Sequence, residues 1–164
     1  MKTIITLIAG ASLTACANAQ MEVQKPFEIS VGGAFFTGDL DDLDPGFLVG
    51  LDYYLVKNYS SQTMQFVGAR GWFADQASAY GVHYGLRFGV PASPDAPGSL
   101  YFKLAIGYYN SDVDSAGNDW GLGGFGAVGY EFNKNMGAEV GFQIAPETGT
   151  VDNHSFYAAL AFRM

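Results

Sequence analysis

The chain has 164 residues, enough for one domain, with a formal net charge of −8 and a sequence pI near 4.4. This acidic balance argues against nucleic acid as a partner, because a phosphate backbone binds a basic surface. The 22 glycines, 13 Phe and 10 Tyr far outnumber the 8 Lys and Arg residues, a composition that favours glycine-lined, aromatic strands. The single cysteine, Cys16, excludes a disulfide framework and a cysteine-based metal site.

The first 19 residues have the pattern of a secretory signal peptide. An apolar run extends from Ile4 to Ala15, and Ala17-Asn18-Ala19 is a small-x-small site for signal peptidase. Leu13 to Cys16 also resembles a bacterial lipobox, so lipidation of Cys16 is the alternative. Both interpretations predict export, and they divide the chain into a signal peptide, 1–19, and one domain, 20–164. No later stretch reaches 18 uninterrupted apolar residues, so we predict no transmembrane helix.

The segment from Tyr80 to Val90 shows the pattern on which the fold prediction depends. Its large apolar residues alternate with glycines, His83 and Arg87. A period of two predicts a β-strand, because successive side chains point to opposite faces of a sheet. One face is aromatic and continuous while the other is small and charged. This division is typical of a strand with lipid on one side and a polar interior on the other.

The same alternation recurs along the chain and predicts eight strands. Their lengths are close to the roughly 9–11 residues that a tilted strand needs to cross a bilayer. An even number of strands can close on itself and leave no open edge in lipid. The predicted fold is therefore all-β, an eight-stranded antiparallel up-and-down transmembrane β-barrel. The predicted strands are 27–36, 46–55, 64–74, 80–90, 99–109, 120–132, 136–144 and 154–164.

Charged residues within these strands all fall on the face opposite the apolar one. Four are basic and four are acidic, and His83 shares their face. Buried charges must be paired and hydrogen-bonded. The sequence therefore predicts an interior polar network of Glu28, Asp52, Arg70, His83, Arg87, Lys103, Glu131, Glu139 and Arg163. Within it we expect Lys103 to pair with Glu131, and Arg163 to pair with Glu28 or Glu139.

The connections after the first, third, fifth and seventh strands contain ten acidic residues and no Lys or Arg. With the N-terminus in the periplasm, these connections lie outside the cell. Ca²⁺ prefers oxygen ligands, so six of these residues, in two groups, are candidate calcium ligands. Neither group, residues 39–44 or Asp112 with Asp114, has the spacing of an EF-hand. The alternative is that both are solvated loop tips. The candidates are Asp39, Asp41, Asp42, Asp44, Asp112 and Asp114.

Aromatic residues gather near the strand ends, as in the two interfacial girdles of membrane barrels. At the rim with the acidic connections they are Phe35, Phe47, Trp72, Tyr80, Tyr108, Trp120 and Phe156, and at the other rim Tyr53, Phe88, Tyr130 and Phe162.

The strand pattern and the ending of the chain resemble the small eight-stranded outer-membrane barrels of Gram-negative bacteria: the OmpA membrane domain, OmpX and Ail-like proteins. Tyr157, Phe162 and Met164 look like their C-terminal assembly signal, although the family ends in Phe. The resemblance implies the barrel assembly machinery as a partner. The second half also resembles YfaZ-type outer-membrane proteins, in Leu100-Tyr101, Gly107-Tyr108-Tyr109, Ser111-Asp112-Val113-Asp114 and Val128-Gly129-Tyr130.

No pattern in the chain pairs His83 or His154, the two histidines, with a nucleophile. We therefore expect no enzymatic activity and no cofactor. The favoured hypothesis is a monomeric outer-membrane barrel in contact with lipid and lipopolysaccharide, with a structural or surface-interaction role through its acidic connections. A narrow pore or a carrier of small hydrophobic solutes is one alternative. A soluble periplasmic barrel of lipocalin type is another, and it requires the apolar face to point inward.

Overall fold

The computed structural model describes residues 25–58, 62–90 and 98–164, and these form one closed barrel of eight antiparallel strands. Each strand pairs with its neighbours in sequence, and the last pairs with the first, so the predicted up-and-down barrel is confirmed. A 3₁₀ turn at Gly38–Leu40 follows the first strand. The strands are β1 Phe27–Thr37, β2 Gly46–Asn58, β3 Thr63–Phe73, β4 Ala77–Gly89, β5 Ser99–Val113, β6 Gly117–Asn133, β7 Met136–Ile144 and β8 His154–Arg163.

The signal peptide 1–19 and Cys16 lie outside the described residues, and so does 91–97, between β4 and β5. Cleavage and lipidation therefore stay predictions.

Strands β5 and β6 are longer than predicted. The polar stretch 110–119, interpreted as a loop, is mostly strand, and the connection shrinks to residues 114–116. Asn110 and Asn118 explain the difference, because their side-chain amides hydrogen-bond each other reciprocally at 2.8 and 3.1 Å. Polar residues that satisfy one another across two strands extend the hairpin without an apolar face.

The barrel closes between its two chain ends. Phe27 and Met164 exchange backbone hydrogen bonds of 2.9 and 3.1 Å, and the register places Glu28 opposite Arg163. At the same end, the tight turn between β6 and β7 is held by Asn133, whose Oδ1 accepts hydrogen bonds from the backbone amides of Asn135 and Met136. We call this end the terminal rim. The other end, formed by 38–45, 74–76, 114–116 and 145–153, is the acidic rim.

The outer wall of the barrel is apolar and the interior is polar. Val82, Leu104 and Leu122 are more than 60% exposed on the outside, whereas Lys103 and Glu139 are buried within. This arrangement is the reverse of what the lipocalin-type alternative requires. Separately, none of the helical residues in the described ranges forms a segment long and apolar enough to cross a membrane.

An apolar cluster fills the interior near the acidic rim. Phe36 packs on Trp72 with ring centroids 4.5 Å apart, and Leu40 of the 3₁₀ turn covers them. Trp72 is fully buried, so its assignment to the outer girdle is wrong. Residue 72 is an even-numbered position on β3, and its neighbours Gly71 and Phe73 occupy the outward positions, so the indole can only point inward. Ala145 and Val151 of the last connection join this cluster, which closes the acidic rim.

Candidate functional site

Lys103 of β5 lies at the centre of the barrel interior and is completely buried. Its ammonium group contacts three carboxylates that three different strands supply: Glu28 from β1, Asp52 from β2 at 3.1 Å and Glu139 from β7 at 3.1 Å. A buried charge is stable only with such partners. Lys103 therefore joins strands on opposite sides of the barrel through one group.

Arg70 forms the second buried contact of Glu139. Its Nη2 donates to Glu139 Oε1 at 2.8 Å, and its guanidinium group lies over the Phe125 ring at 3.9 Å and near the Tyr157 ring at 4.7 Å. The Tyr101 hydroxyl donates to the other oxygen of Glu139 at 3.2 Å. Glu139 thus accepts hydrogen bonds at both oxygens, and the aromatic rings shield the pair from water.

His83 connects the charged cluster to the aromatic interior. Its Nε2 lies 2.8 Å from Asp52 Oδ1, and its Nδ1 lies 3.3 Å from the Tyr109 hydroxyl. The Phe66 and Phe125 rings pack edge-on against the imidazole, with centroids at 5.7 and 5.0 Å. An imidazole held between an acceptor and a donor has one tautomer that satisfies both, with the proton on Nε2. The arrangement orients His83 and closes it off from solvent.

A second ring of charges lies at the terminal rim. Arg163 contacts Glu28 Oε2 and Glu131 Oε1, each at 3.0 Å. Arg87 Nη2 lies 2.9 Å from the same Glu131 oxygen, and its guanidinium group stacks over the Tyr101 ring at 3.9 Å. Because Glu28 also contacts Lys103, this ring is continuous with the central cluster.

The structure places all nine residues of the predicted network inside the barrel, joining eight of them by ion pairs and His83 by its hydrogen bond to Asp52. Of the expected pairs, Arg163 with Glu28 is present. The expected pair of Lys103 with Glu131 is wrong. Lys103 faces Ala127 on β6, and Glu131 lies four residues further along, about 13 Å away at the rise of a β-strand. Glu131 therefore meets the arginines of the terminal rim.

Sequence reasoning missed a neutral polar cluster beneath the acidic rim. Asn153 Nδ2 donates to Ser111 Oγ at 2.6 Å, and Ser111 Oγ shares a hydrogen bond of 2.7 Å with Thr148 Oγ1. Thr148 and Asn153 belong to the connection 145–153, so the cluster ties that connection to β5. Ser, Thr and Asn are the usual residues of solvated turns, and only the inward position of Ser111 on an extended strand could have indicated the cluster.

The three residues of the predicted assembly signal do not share one surface. Tyr157 points into the barrel, where its hydroxyl lies 3.4 Å from Glu139 Oε1. Met164 is exposed, and Phe162, an even-numbered neighbour on β8, lies on the same outer side. The structure gives Tyr157 a packing role inside the barrel, and the signal itself stays a prediction.

The acidic residues of the rim are spread over separate connections. Asp39 Oδ2 accepts a hydrogen bond from the Asp152 amide at 3.0 Å, and Asp119 Oδ2 accepts one from the Gly149 amide at 3.2 Å. Among the residues that the structure describes, no three or more His, Cys, Asp or Glu side chains come together as a metal site. The candidate calcium ligands Asp39, Asp41, Asp42, Asp44, Asp112 and Asp114 therefore do not form one cluster.

An eight-stranded barrel with an apolar outer wall and an ion-paired filling has the architecture of the small outer-membrane β-barrels, and solved structures of that class match this chain. Neisserial surface protein A aligns over 84% of this chain and 96% of its own, with 14% identity and a TM-score of 0.58. The N-terminal β-barrel domain of Pseudomonas aeruginosa OprF aligns over 87% and 100%, with 11% identity and a TM-score of 0.54.

A third match is Ail, the attachment invasion locus protein of Yersinia pestis, solved with the heparin analogue sucrose octasulfate. It aligns over 87% of this chain and all of its own, with 15% identity and a TM-score of 0.53. At these identities the likeness is one of fold. No protein-family model matches the chain, and no curated protein matches it.

Proposed function

We propose that this chain is a monomeric, non-enzymatic β-barrel of the Gram-negative outer membrane, with a structural or surface-interaction role. The observation that carries the proposal is the distribution of polarity. Leu104 is 61% exposed on the outer wall, while its neighbour Lys103 is completely buried among three carboxylates. In water this arrangement would expose a large apolar surface. In a bilayer the same surface faces hydrocarbon.

The filled interior supports a role that does not depend on bulk transport. Large side chains of Tyr54, Phe66, Tyr101 and Tyr109 are buried there together with the ion pairs. Eight strands enclose a space that side chains can fill. A plugged barrel can strengthen the envelope or present its connections to the outside.

The acidic rim supports a surface role. Its backbone is held by hydrogen bonds from the connection 145–153, in which the Asp152 amide donates to Asp39 and the Gly149 amide donates to Asp119 of β6. The rim therefore presents carboxylates on a defined surface. Carboxylates and the phosphates of lipopolysaccharide are both anionic, and divalent cations can bridge them. We expect lipid and lipopolysaccharide as neighbours of the outer wall and the acidic rim.

Export and assembly complete the proposal. The signal peptide 1–19 would direct the chain across the inner membrane, with lipidation of Cys16 as the alternative. The chain end at Phe162 and Met164 would then be recognised by the barrel assembly machinery. Mass spectrometry of the mature protein separates the two, because cleavage leaves Gln20 as the N-terminus and lipidation leaves an acylated Cys16.

Envelope fractionation followed by gel electrophoresis tests the membrane proposal. We expect the protein in the outer-membrane fraction, and we expect boiled and unboiled samples to migrate differently because a folded barrel resists detergent. The matched variants Leu104→Arg and Leu104→Met test whether the outer wall faces lipid, because only the first places a charge on it. A charge facing hydrocarbon costs about 2–4 kcal/mol near the midplane, whereas Met keeps the volume. Recovery of the wild-type protein in the soluble periplasmic fraction, without a migration shift, would contradict the proposal.

A further inference from the structure

Three buried side chains in the upper part of the barrel carry polar atoms that form no hydrogen bond with any residue the structure describes. These atoms are both amide atoms of Gln143 on β7, the hydroxyl of Ser155 on β8 and the indole nitrogen of Trp72 on β3. All three side chains are fully buried. Buried polar atoms of folded proteins almost always have a partner, in the protein or in ordered water. The three side chains therefore need a partner that is not a protein group.

The strand register brings Gln143 and Ser155 side by side. They are direct partners in the β7–β8 ladder, and both side chains point into the barrel. Side chains opposite each other on neighbouring strands have Cβ atoms about 4.5–5.5 Å apart. Trp72 reaches the same layer, since its ring packs on Phe36 at 4.5 Å, and Phe36 is the β1 partner of Ser155. We call Trp72, Gln143 and Ser155 together the inner polar site.

The inner polar site is covered in both directions along the barrel axis. Towards the acidic rim, Leu40 and Ala145 belong to the same apolar cluster as Trp72. Towards the middle of the barrel, Phe125 is the β6 neighbour of the Gln143 carboxamide, and the Arg70 guanidinium group lies over its ring at 3.9 Å. An occupant of the site must therefore be small, because large side chains close it from above and below.

The mixture of donors and acceptors selects the occupant. The Trp72 indole and the Gln143 amide nitrogen only donate, the Gln143 amide oxygen only accepts, and the Ser155 hydroxyl does both. A cation requires oxygen ligands alone, and the positive charge of Arg70 in the next layer also disfavours it. An anion requires donors alone. Water both donates and accepts, and it is small enough for an enclosed site.

We propose that the inner polar site binds ordered water. A buried water makes about three hydrogen bonds, so about one or two molecules satisfy the four atoms. The water accepts from the two nitrogens and donates to the Gln143 oxygen. Because β3 pairs with neither β7 nor β8, the water links separate parts of the wall, between the ion pairs and the acidic rim. The inference goes beyond the envelope role, since it assigns a ligand inside the barrel.

Nuclear Overhauser spectroscopy of the folded protein in detergent micelles tests for this water. In a rotating-frame experiment, the Gln143 carboxamide and the Trp72 indole should show cross-peaks with water. The sign of a cross-peak separates direct contact with long-lived water from proton exchange. Asn110 is the matched control, because its carboxamide is also fully buried but is paired reciprocally with Asn118. It should show no contact with long-lived water.

The variant Gln143→Met keeps a side chain of similar length and removes both amide atoms. With water bound in the wild-type protein, the substitution takes a partner from that water. The Trp72 cross-peak should then disappear, and the unfolding equilibrium constant should rise about tenfold, the effect of one unmet buried polar group. A carboxamide buried without water predicts the opposite sign, because Met would remove two unpaired polar atoms. Leu104→Met on the outer wall is the control and should keep the cross-peak.

Three results would overturn the inference. The first is absence of the water cross-peaks at Gln143 and Trp72 in a barrel that shows the gel migration shift. The second is a lower unfolding constant for Gln143→Met than for the wild-type protein. The third is a stability that depends on sodium at constant ionic strength in the wild-type protein but not in Gln143→Met, which would assign a cation. All three concern the folded barrel in detergent, so they leave the outer-membrane proposal intact.

Discussion

Lys103 depends on the closed barrel for all three of its ion pairs. Its three carboxylate partners come from β1, β2 and β7, and they meet only when the sheet has closed. The alternation of the sequence predicts that these residues point inward. It does not predict which of them meet, because cross-barrel contacts depend on the register of every strand pair between them.

Replacing Lys103 with Met should destabilise the barrel by about 3–5 kcal/mol, because it leaves buried carboxylates without their shared cation. Urea unfolding in lipid vesicles measures the loss. Leu104→Met, one residue away on the outer wall, is the matched control and should change the unfolding free energy by less than about 1.5 kcal/mol. A loss below 1 kcal/mol for Lys103→Met would mean that the central ion cluster does not stabilise the fold.

Gly129 and Gly126 of β6 offer a second matched pair. A Cβ on Gly129 would lie 2.1 Å from the Tyr101 ring, whereas a Cβ on Gly126 would meet only ordinary contacts, the nearest at 3.4 Å. Gly129→Ala should therefore displace Tyr101 from Glu139 and Arg87 and cost about 1–3 kcal/mol, as overpacking does. Gly126→Ala should cost little. Equal effects of the two substitutions on unfolding would show that Tyr101 is not held against Gly129.

At the scale of elements, the connection 145–153 is the clearest departure from the sequence-based prediction. It contains acidic and turn-forming residues, and the sequence predicts only a connection that lies outside the cell. In the structure Ala145, Thr148 and Asn153 are buried and the connection closes the acidic rim. Length and composition predict where a connection lies along the chain. Its packing depends on the space that the eight strands leave inside the barrel. That space cannot be read from the residues of the connection itself.

The hydroxyl of Ser111 should hold this connection in place. Ser111→Ala removes its hydrogen bonds with Thr148 and Asn153, which are worth about 1 kcal/mol each. Hydrogen exchange at the amides of Thr148 and Val151 should accelerate about tenfold, with strand amides unchanged. Ser155→Ala is the control, because the Ser155 hydroxyl has no hydrogen-bond partner among the described residues. If the amides of Thr148 and Val151 exchange at the same rate in both variants, Ser111 does not anchor the connection.

At the scale of the whole molecule, the filled interior predicts no steady conductance. Lys103, Arg70 and the buried aromatic rings occupy the interior between the two rims, and an ion would have to break several buried pairs to pass. In planar lipid bilayers the purified protein should give no sustained current steps above the protein-free membrane. Regular single-channel steps that grow in number with added protein would favour the narrow-pore alternative.

Much of this architecture follows from the sequence because the two faces of every strand differ so strongly. The strands and their inward and outward faces were predicted from the alternation of apolar residues with glycine and charge. The extension of β5 and β6 was not, since the Asn110–Asn118 pair replaces the apolar signal. Trp72 was assigned to the girdle because a Trp near a strand end usually lies at the interface. Here Trp72 occupies an inward position on β3 and packs against the Phe36 ring inside the barrel.

The orientation of the outer wall is tested most directly by nuclear Overhauser contacts between lipid chains and the protein in nanodiscs. Methylene protons of the lipid should contact the side chains of Val82, Leu104, Leu122 and Val140, which lie exposed on the outer wall. They should not contact Tyr101 or Tyr157, which lie inside. Water contacts at the four outer residues, with lipid contacts absent, would contradict the account.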